Sequence, residues 1–85
     1  MIFVETPNFT QRLLRTLDDD RYRALQAALL LRPEQGVLIP GGAGLRKLRW
    51  GTGERGKRGG LRVIYFWDGP RATCYMLFLY QKNVT

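Results

Sequence analysis

The sequence contains no histidine and a single cysteine, Cys74. Without histidine, acid–base chemistry near neutral pH is left to lysine, arginine, tyrosine or a carboxylate. A lone cysteine excludes an internal disulfide and disfavours a thiolate metal cluster. Because Cys74 lies inside an apolar run, we expect a buried and unreactive thiol. We expect neither a metal cluster nor a small-molecule cofactor.

Long apolar runs are also missing from the sequence. No stretch approaches the roughly 20 residues that cross a bilayer, and the N-terminus lacks a basic region followed by an apolar one. We therefore expect a cytoplasmic protein without a membrane partner. A chain of 85 residues has room for a single domain, residues 1–85, around one core.

Local patterns in the first half predict a strand followed by two helices. Residues 2–5 are apolar and β-prone, and Thr6 and Pro7 then supply a helix N-cap and a first helical residue. The acidic residues 18–20 end this helix and start a second one over residues 21–32. We expect the two helices to form an antiparallel hairpin.

The second half predicts a sheet. Residues 37–44 contain three glycines and a proline and indicate a flexible connection. The strands are predicted at residues 45–50, 61–67 and 73–80, with turns at 51–60 and 68–70. The predicted fold is therefore α+β, with an N-terminal strand and a helical hairpin before a three-stranded antiparallel meander.

The last predicted strand does not alternate between apolar and polar residues over positions 74–80. That pattern is typical of a strand covered on both faces. Because the two helices can cover only one face, we expect a ligand, a partner chain or a further element on the other.

A basic, glycine-rich segment dominates the charge of the chain. Residues 46–62 hold seven basic residues and one acid, a net +6 out of the total of +7. Residues 51–56 fit a dinucleotide fingerprint and residues 51–57 nearly fit a P-loop, but a strand follows instead of a helix, and Arg58 replaces the required Ser or Thr. A solvated hairpin loop is the plainer alternative. The glycines favour a backbone that approaches a ligand closely.

Cations flanked by aromatic side chains are what RNA recognition uses, because cations bind phosphates and unstacked bases lie on aromatic rings. Tyr65 and Tyr80 are candidates for base stacking, whereas Phe66, Trp67 and Phe78 are better explained as core residues. Strand alternation predicts that Arg62 and Tyr65 lie on opposite faces unless a bulge intervenes.

Four motifs together resemble the HigB-type branch of the RelE/ParE toxin superfamily, and the resemblance covers essentially the whole chain. They are Asp-Asp-Asp-x-Tyr-Arg-Ala-Leu-Gln at 18–26, Gly-x-Gly-Leu-Arg-Lys-Leu-Arg at 42–49, Gly-Lys-Arg-Gly-Gly-x-Arg-Val-Ile-Tyr at 56–65 and Leu-Tyr-x-Lys-Asn at 79–83. Members of the branch usually continue past the Lys-Asn into another helix. This sequence ends at Thr85, before such a helix, and a natural short form, a damaged gene and a truncated chain are the alternatives.

The resemblance implies a toxin of a type II toxin–antitoxin pair that enters the ribosome and cuts translated mRNA without a metal. Its expected partners are the ribosome, mRNA and a cognate, HigA-like antitoxin. Enzymes of this kind use lysine and arginine where other ribonucleases use histidines, which agrees with a chain that has no histidine.

The resemblance also implies roles for single residues. Arg62 matches the strand arginine that steadies the reacting phosphate, and Lys57 and Arg58 match cations of the loop. Lys47 falls near a family lysine, and Lys82 matches a basic residue after the last strand. Neighbouring cations disfavour the charged form of a lysine, so Lys47 or Lys57 is a candidate for proton transfer, while arginine is better suited to clamp phosphate.

The candidate residues form two groups. The catalytic candidates are Arg62, Lys57, Lys47 and Lys82, and the RNA-binding candidates are Arg46, Arg49, Arg55, Arg58, Tyr65 and Tyr80. Two other functions stay open: a non-catalytic module of the same fold that binds RNA or an antitoxin, and a ParE-like gyrase poison. The number of cations favours an RNA ligand over gyrase.

Overall fold

The chain folds as the α+β domain that the sequence predicts. A computed structural model describes residues 1–51 and 60–82. The elements are β1 (Ile2–Glu5), α1 (Pro7–Thr16), α2 (Asp19–Leu31), β2 (Val37–Leu38), β3 (Arg46–Trp50), β4 (Leu61–Asp68) and β5 (Thr73–Gln81). The predicted connection at 37–44 therefore contains a short strand, β2, which the pattern of glycines did not indicate.

The five strands form one sheet in the order β1-β5-β4-β3-β2. Strands β3, β4 and β5 make the predicted antiparallel meander. Strand β1 pairs in parallel with β5, from Ile2 opposite Thr73 to Glu5 opposite Met76. Parallel strands that are neighbours in a sheet need a crossover connection. The chain that connects β1 to β5 includes both helices, which lie over one face of the sheet.

Helix α1 begins where the sequence predicts, and α2 begins at Asp19, before the predicted residue 21. The Thr6 Oγ1 accepts a hydrogen bond from the Phe9 N–H at 3.0 Å, and Pro7 follows at the first helical position. Asp18 caps α2 by accepting from the Arg21 N–H at 2.8 Å. Within residues 1–51 and 60–82, no helix is long and apolar enough to cross a membrane.

The core lies between the helices and one face of the sheet. Its largest fully buried side chains include Phe9, Leu25 and Leu29 from the helical half. They belong to one cluster with side chains of β3, β4 and β5: Leu48, Leu61, Val63, Tyr65, Cys74, Met76 and Leu79. We call the opposite side of the sheet, which neither helix covers, the open face.

A β-bulge explains why β5 does not alternate. Ile64 pairs with Phe78, but the next residue, Tyr65, pairs with Met76, so Leu77 is an extra residue without a partner on β4. The side chains on the core side are consequently Cys74, Met76 and Leu79, and Thr73 at the start of the strand is also buried. On the open face Tyr75, Phe78 and Tyr80 are half-buried within this chain, so the prediction that a ligand, a partner chain or a further element covers that face stays a prediction.

Tyr65 and Arg46 hold the segment after α2 against the sheet. The buried Tyr65 hydroxyl donates to the Pro33 carbonyl at 2.7 Å and accepts from the Gly36 N–H at 2.9 Å. A Cβ on Gly36 would lie 2.8 Å from the Tyr65 ring, so only glycine fits there. The Arg46 guanidinium donates to the carbonyls of Glu34 and Gly36 at 3.0 and 2.8 Å.

We expect Tyr65→Phe to lower the free energy of unfolding by about 1–3 kcal/mol, because it leaves a buried N–H and a carbonyl without their partner. Urea denaturation measures this change. The matched control is Tyr75→Phe, since within the described part of the chain the Tyr75 hydroxyl makes no hydrogen bond; its effect should stay within about 0.5 kcal/mol. Equal losses in the two variants would contradict the role of the Tyr65 hydroxyl.

Stability should fall in alkaline solution. Burial raises the pKa of the Cys74 thiol from 9.0 to about 11, and burial is also the largest cause of the raised pKa of Tyr22 and of Tyr65. Above about pH 9 the unfolded chain loses these protons first, so the free energy of unfolding decreases as the pH rises.

The measurement is the urea midpoint at several pH values from about 8 to 11. Cys74→Ala should reduce the slope of stability against pH between 9.0 and about 11, because it removes one of the three groups. An unchanged slope in this variant would show that the thiol does not contribute.

Candidate functional site

Alternation along β4 separates the core from the open face. Leu61, Val63 and Tyr65 are buried against the helices, whereas Arg62 and Ile64 between them are half-buried on the other side. Arg62 and Tyr65 therefore lie on opposite faces, as the alternation predicts. The bulge lies in β5 and does not disturb this alternation in β4.

Three candidate residues form a row across the open face. Arg49 of β3 is directly opposite Arg62 of β4, and Arg62 is directly opposite Tyr80 of β5. We call these three residues the arginine–tyrosine row. Opposite residues in antiparallel strands have Cβ atoms about 4.5–5.5 Å apart, and like charges at that separation destabilise the sheet. The fold thus keeps a repulsive Arg49–Arg62 pair beside an aromatic ring.

Two lysines flank the arginine–tyrosine row. Lys47 lies opposite Ile64, two residues before Arg49 on the same exposed side of β3. Lys82 follows β5, and its N–H donates to the Gly60 carbonyl at 2.8 Å, which extends the ladder past Gln81. Alternation places Lys82 on the same side as Tyr80. The structure therefore brings Lys47, Arg49, Arg62 and Lys82 to one face.

The acidic side chains for which the structure shows a partner lie away from the cations of the open face. Asp18 pairs with Arg21 at 2.8 Å and Asp68 with Arg71 at 3.2 Å. Glu5 accepts hydrogen bonds from the hydroxyls of Thr10 and Tyr22 at 2.6 and 2.7 Å. In residues 1–51 and 60–82, no acid forms an ion pair with Lys47, Arg49 or Lys82, so their charge is available to an anion.

Arg62 occupies the centre of the group. Its strand lies between β3 and β5, and its side chain is half-buried. The Nη1 of Arg62 donates to the Leu61 carbonyl at 3.5 Å. The planar fork of donors on an arginine suits this position to bind a phosphate through two hydrogen bonds.

Aromatic rings continue the open face along β5. The rings of Tyr80 and Phe78 have centroids 6.0 Å apart, and those of Phe66 and Tyr75 are 6.3 Å apart. Phe66 and Phe78 are half-buried on this face, so the interpretation of both as core residues is wrong. Trp67, by contrast, packs against the core as expected.

A cation from α1 also lies beside the open face, and it is not among the candidate residues that the sequence indicates. The Arg12 guanidinium carbon lies 4.3 Å from the centroid of the Phe78 ring. Helical spacing indicated only that Arg12 is outside the apolar stripe of its helix. Its approach to β5 is a tertiary contact between residues far apart in the chain, and no local pattern predicts it.

Two RNA-binding candidates lie on the wrong side of the sheet. Tyr65 is fully buried and its hydroxyl contacts Pro33 and Gly36, so no base has access to its ring. Arg46 lies on the same side and its guanidinium is engaged with Glu34 and Gly36. The expectation that these two residues bind RNA is corrected: both are structural. Arg55, Lys57 and Arg58 lie outside the described residues.

The chain matches no protein-family model. The described residues of the open face present cations beside aromatic rings. Cys74 is buried, and the raised pKa of its thiol disfavours a nucleophilic role. The described residues contain no cluster of three or more Cys, Asp or Glu side chains suited to a metal ion. Phosphate binding is the chemistry that these side chains support best.

Replacing one arginine of the repulsive pair should stabilise the fold. We expect Arg49→Gln to raise the free energy of unfolding by about 0.2–1 kcal/mol at low salt, with a gain that fades as salt screens the pair. Urea denaturation at several salt concentrations measures it. The control is Arg23→Gln on α2, which makes the same charge change. The Nη1 of Arg23 lies 3.9 Å from the Oδ1 of Asp20. An equal gain in both variants would indicate a general effect of net charge.

Proposed function

We propose that the chain is a toxin of a type II toxin–antitoxin system that cuts mRNA on the ribosome. The observation that carries this proposal is the Arg49–Arg62 pair, directly opposite on adjacent strands and next to Tyr80. Two arginines in this position can both donate hydrogen bonds to one anion that lies between them. A phosphate diester accepts hydrogen bonds from both guanidinium groups and removes the repulsion.

The ring of Tyr80 supports a nucleic acid as the source of the anion. A base joined to the bound phosphate can stack on a half-buried aromatic ring at the next strand. Such a base must be unpaired, because a base inside a duplex has no free face. Single-stranded RNA, of which mRNA on the ribosome is an example, meets this requirement.

Cleavage needs three events at the phosphate. The 2′-hydroxyl loses its proton and attacks phosphorus, negative charge develops on the non-bridging oxygens, and the 5′-oxygen gains a proton as it leaves. Arg62 and Arg49 stabilise the developing charge, since arginine keeps its own proton. Lys47, Lys82 and Lys57 are the candidates for proton transfer. Lys47 and Lys82 lie on the same face as Arg62.

A non-catalytic RNA-binding module is the second candidate. Among the described residues, arginines and aromatic rings occupy the centre of the open face, and Lys47 and Lys82 lie at its periphery. This composition favours binding, because arginine does not readily transfer a proton. Both candidates share the RNA ligand. They differ in whether the bound phosphate is broken. A cognate antitoxin that covers the cations on the open face would inhibit either one.

Arg62→Ala should lower the rate of mRNA cleavage by about a hundredfold or more, because it removes a donor that stabilises the transition state. The assay adds the protein to a translating extract and maps mRNA ends by primer extension. Codon-phased cuts that depend on translation are expected from the wild-type chain. Arg23→Ala, which removes an exposed arginine of α2, is the matched control and should cleave normally.

Intact mRNA with undiminished translation in the wild-type reaction would contradict the proposed toxin activity. Intact mRNA together with RNA binding that weakens steeply with salt would favour the non-catalytic module. Equal cleavage by Arg62→Ala and Arg23→Ala would remove Arg62 from the reaction while leaving the activity in place.

A further inference from the structure

Arg12 extends the group of cations beyond the strands. It is exposed on α1, and its guanidinium carbon lies 4.3 Å from the Phe78 centroid. A guanidinium held over a ring can still donate hydrogen bonds to a phosphate beside it. In residues 1–51 and 60–82, no acceptor takes a hydrogen bond or ion pair from this guanidinium.

The helix that carries Arg12 is firmly attached to β5. The Thr6 N–H donates to the Met76 carbonyl at 3.0 Å, and the Thr6 Oγ1 donates to the Leu77 carbonyl at 2.8 Å. Phe9 and Leu13 of the same helix are buried in the core. Arg12 is therefore held in place by the packing of α1 and by the Phe78 ring below it.

Tyr80 and Phe78 lie between Arg62 and Arg12 on the open face. Tyr80 is directly opposite Arg62 across β4 and β5, and its ring is 6.0 Å from that of Phe78, over which Arg12 lies. Two residues along a strand span about 7 Å. The order on the open face is therefore Arg62, Tyr80, Phe78 and Arg12, with cations at both ends and an aromatic ring next to each.

We propose that Arg12, positioned by Phe78, is a second phosphate-binding site for single-stranded RNA. One backbone phosphate lies at the Arg49–Arg62 pair, a base stacks on Tyr80, and a neighbouring phosphate lies at Arg12. This inference rests on the proposed RNA binding at the open face. It adds a contact from α1, and it makes the site longer than one nucleotide.

The experiment measures binding of a fluorescent single-stranded oligouridylate of about eight nucleotides at several salt concentrations. Its riboses are 2′-O-methylated, so the 2′-oxygen cannot attack. Arg12→Gln should weaken binding about tenfold and lower the slope of log affinity against log salt by about 0.7, the share of one phosphate contact. Arg23→Gln on α2 makes the same charge change and should leave the slope unchanged.

Arg49→Gln separates this inference from the proposed function. If Arg49→Gln lowers the slope but Arg12→Gln binds like Arg23→Gln, RNA binds the arginine–tyrosine row and the Arg12 site is overturned. If neither variant differs from wild type, RNA does not use the open face and both are overturned. Tighter binding of a duplex of the same length also contradicts the inference, because a paired base cannot stack on Tyr80.

Discussion

The alternation of β4 is the constraint on which the rest of the structure depends. Strand β4 lies between β3 and β5, so each of its side chains points either into the core or onto the open face. Tyr65 points inward and ties the segment after α2 to the sheet through Pro33 and Gly36. Arg62 points outward between Arg49 and Tyr80. A register slip of one residue would bury the arginine and expose the tyrosine.

Stability and function make different demands on the two faces. The inward face gains from burying apolar area and from satisfying the Tyr65 hydroxyl. The open face keeps an opposed arginine pair, which costs stability, next to half-buried rings. Natural sequences depart from local stability rules mainly at functional sites, so two like charges placed directly opposite each other in an otherwise consistent sheet support a ligand-binding face.

Local signals in the sequence were sufficient for the helices and the longer strands, but not for β2 or for the contacts between elements. Thr6, Pro7 and Asp18 mark helix starts through hydrogen bonds within a few residues, and these signals are readable in the sequence. Alternation likewise separates Arg62 from Tyr65. The parallel pairing of β1 with β5 and the contact between Arg12 and Phe78 join distant segments. Such contacts depend on how whole elements pack, which residue patterns do not encode locally.

Thr6 shows how one residue links the fold to the candidate site. Its backbone and side chain bond to the Met76 and Leu77 carbonyls, at the bulge of β5. Before the bulge the side chains on the core side are Cys74 and Met76, so unbroken alternation would bury Phe78 and Tyr80 and expose Leu79. The extra residue reverses this order and brings Tyr80 beside Arg62. Because Thr6 also caps α1, the residue that stabilises the bulge starts the helix that carries Arg12 over Phe78.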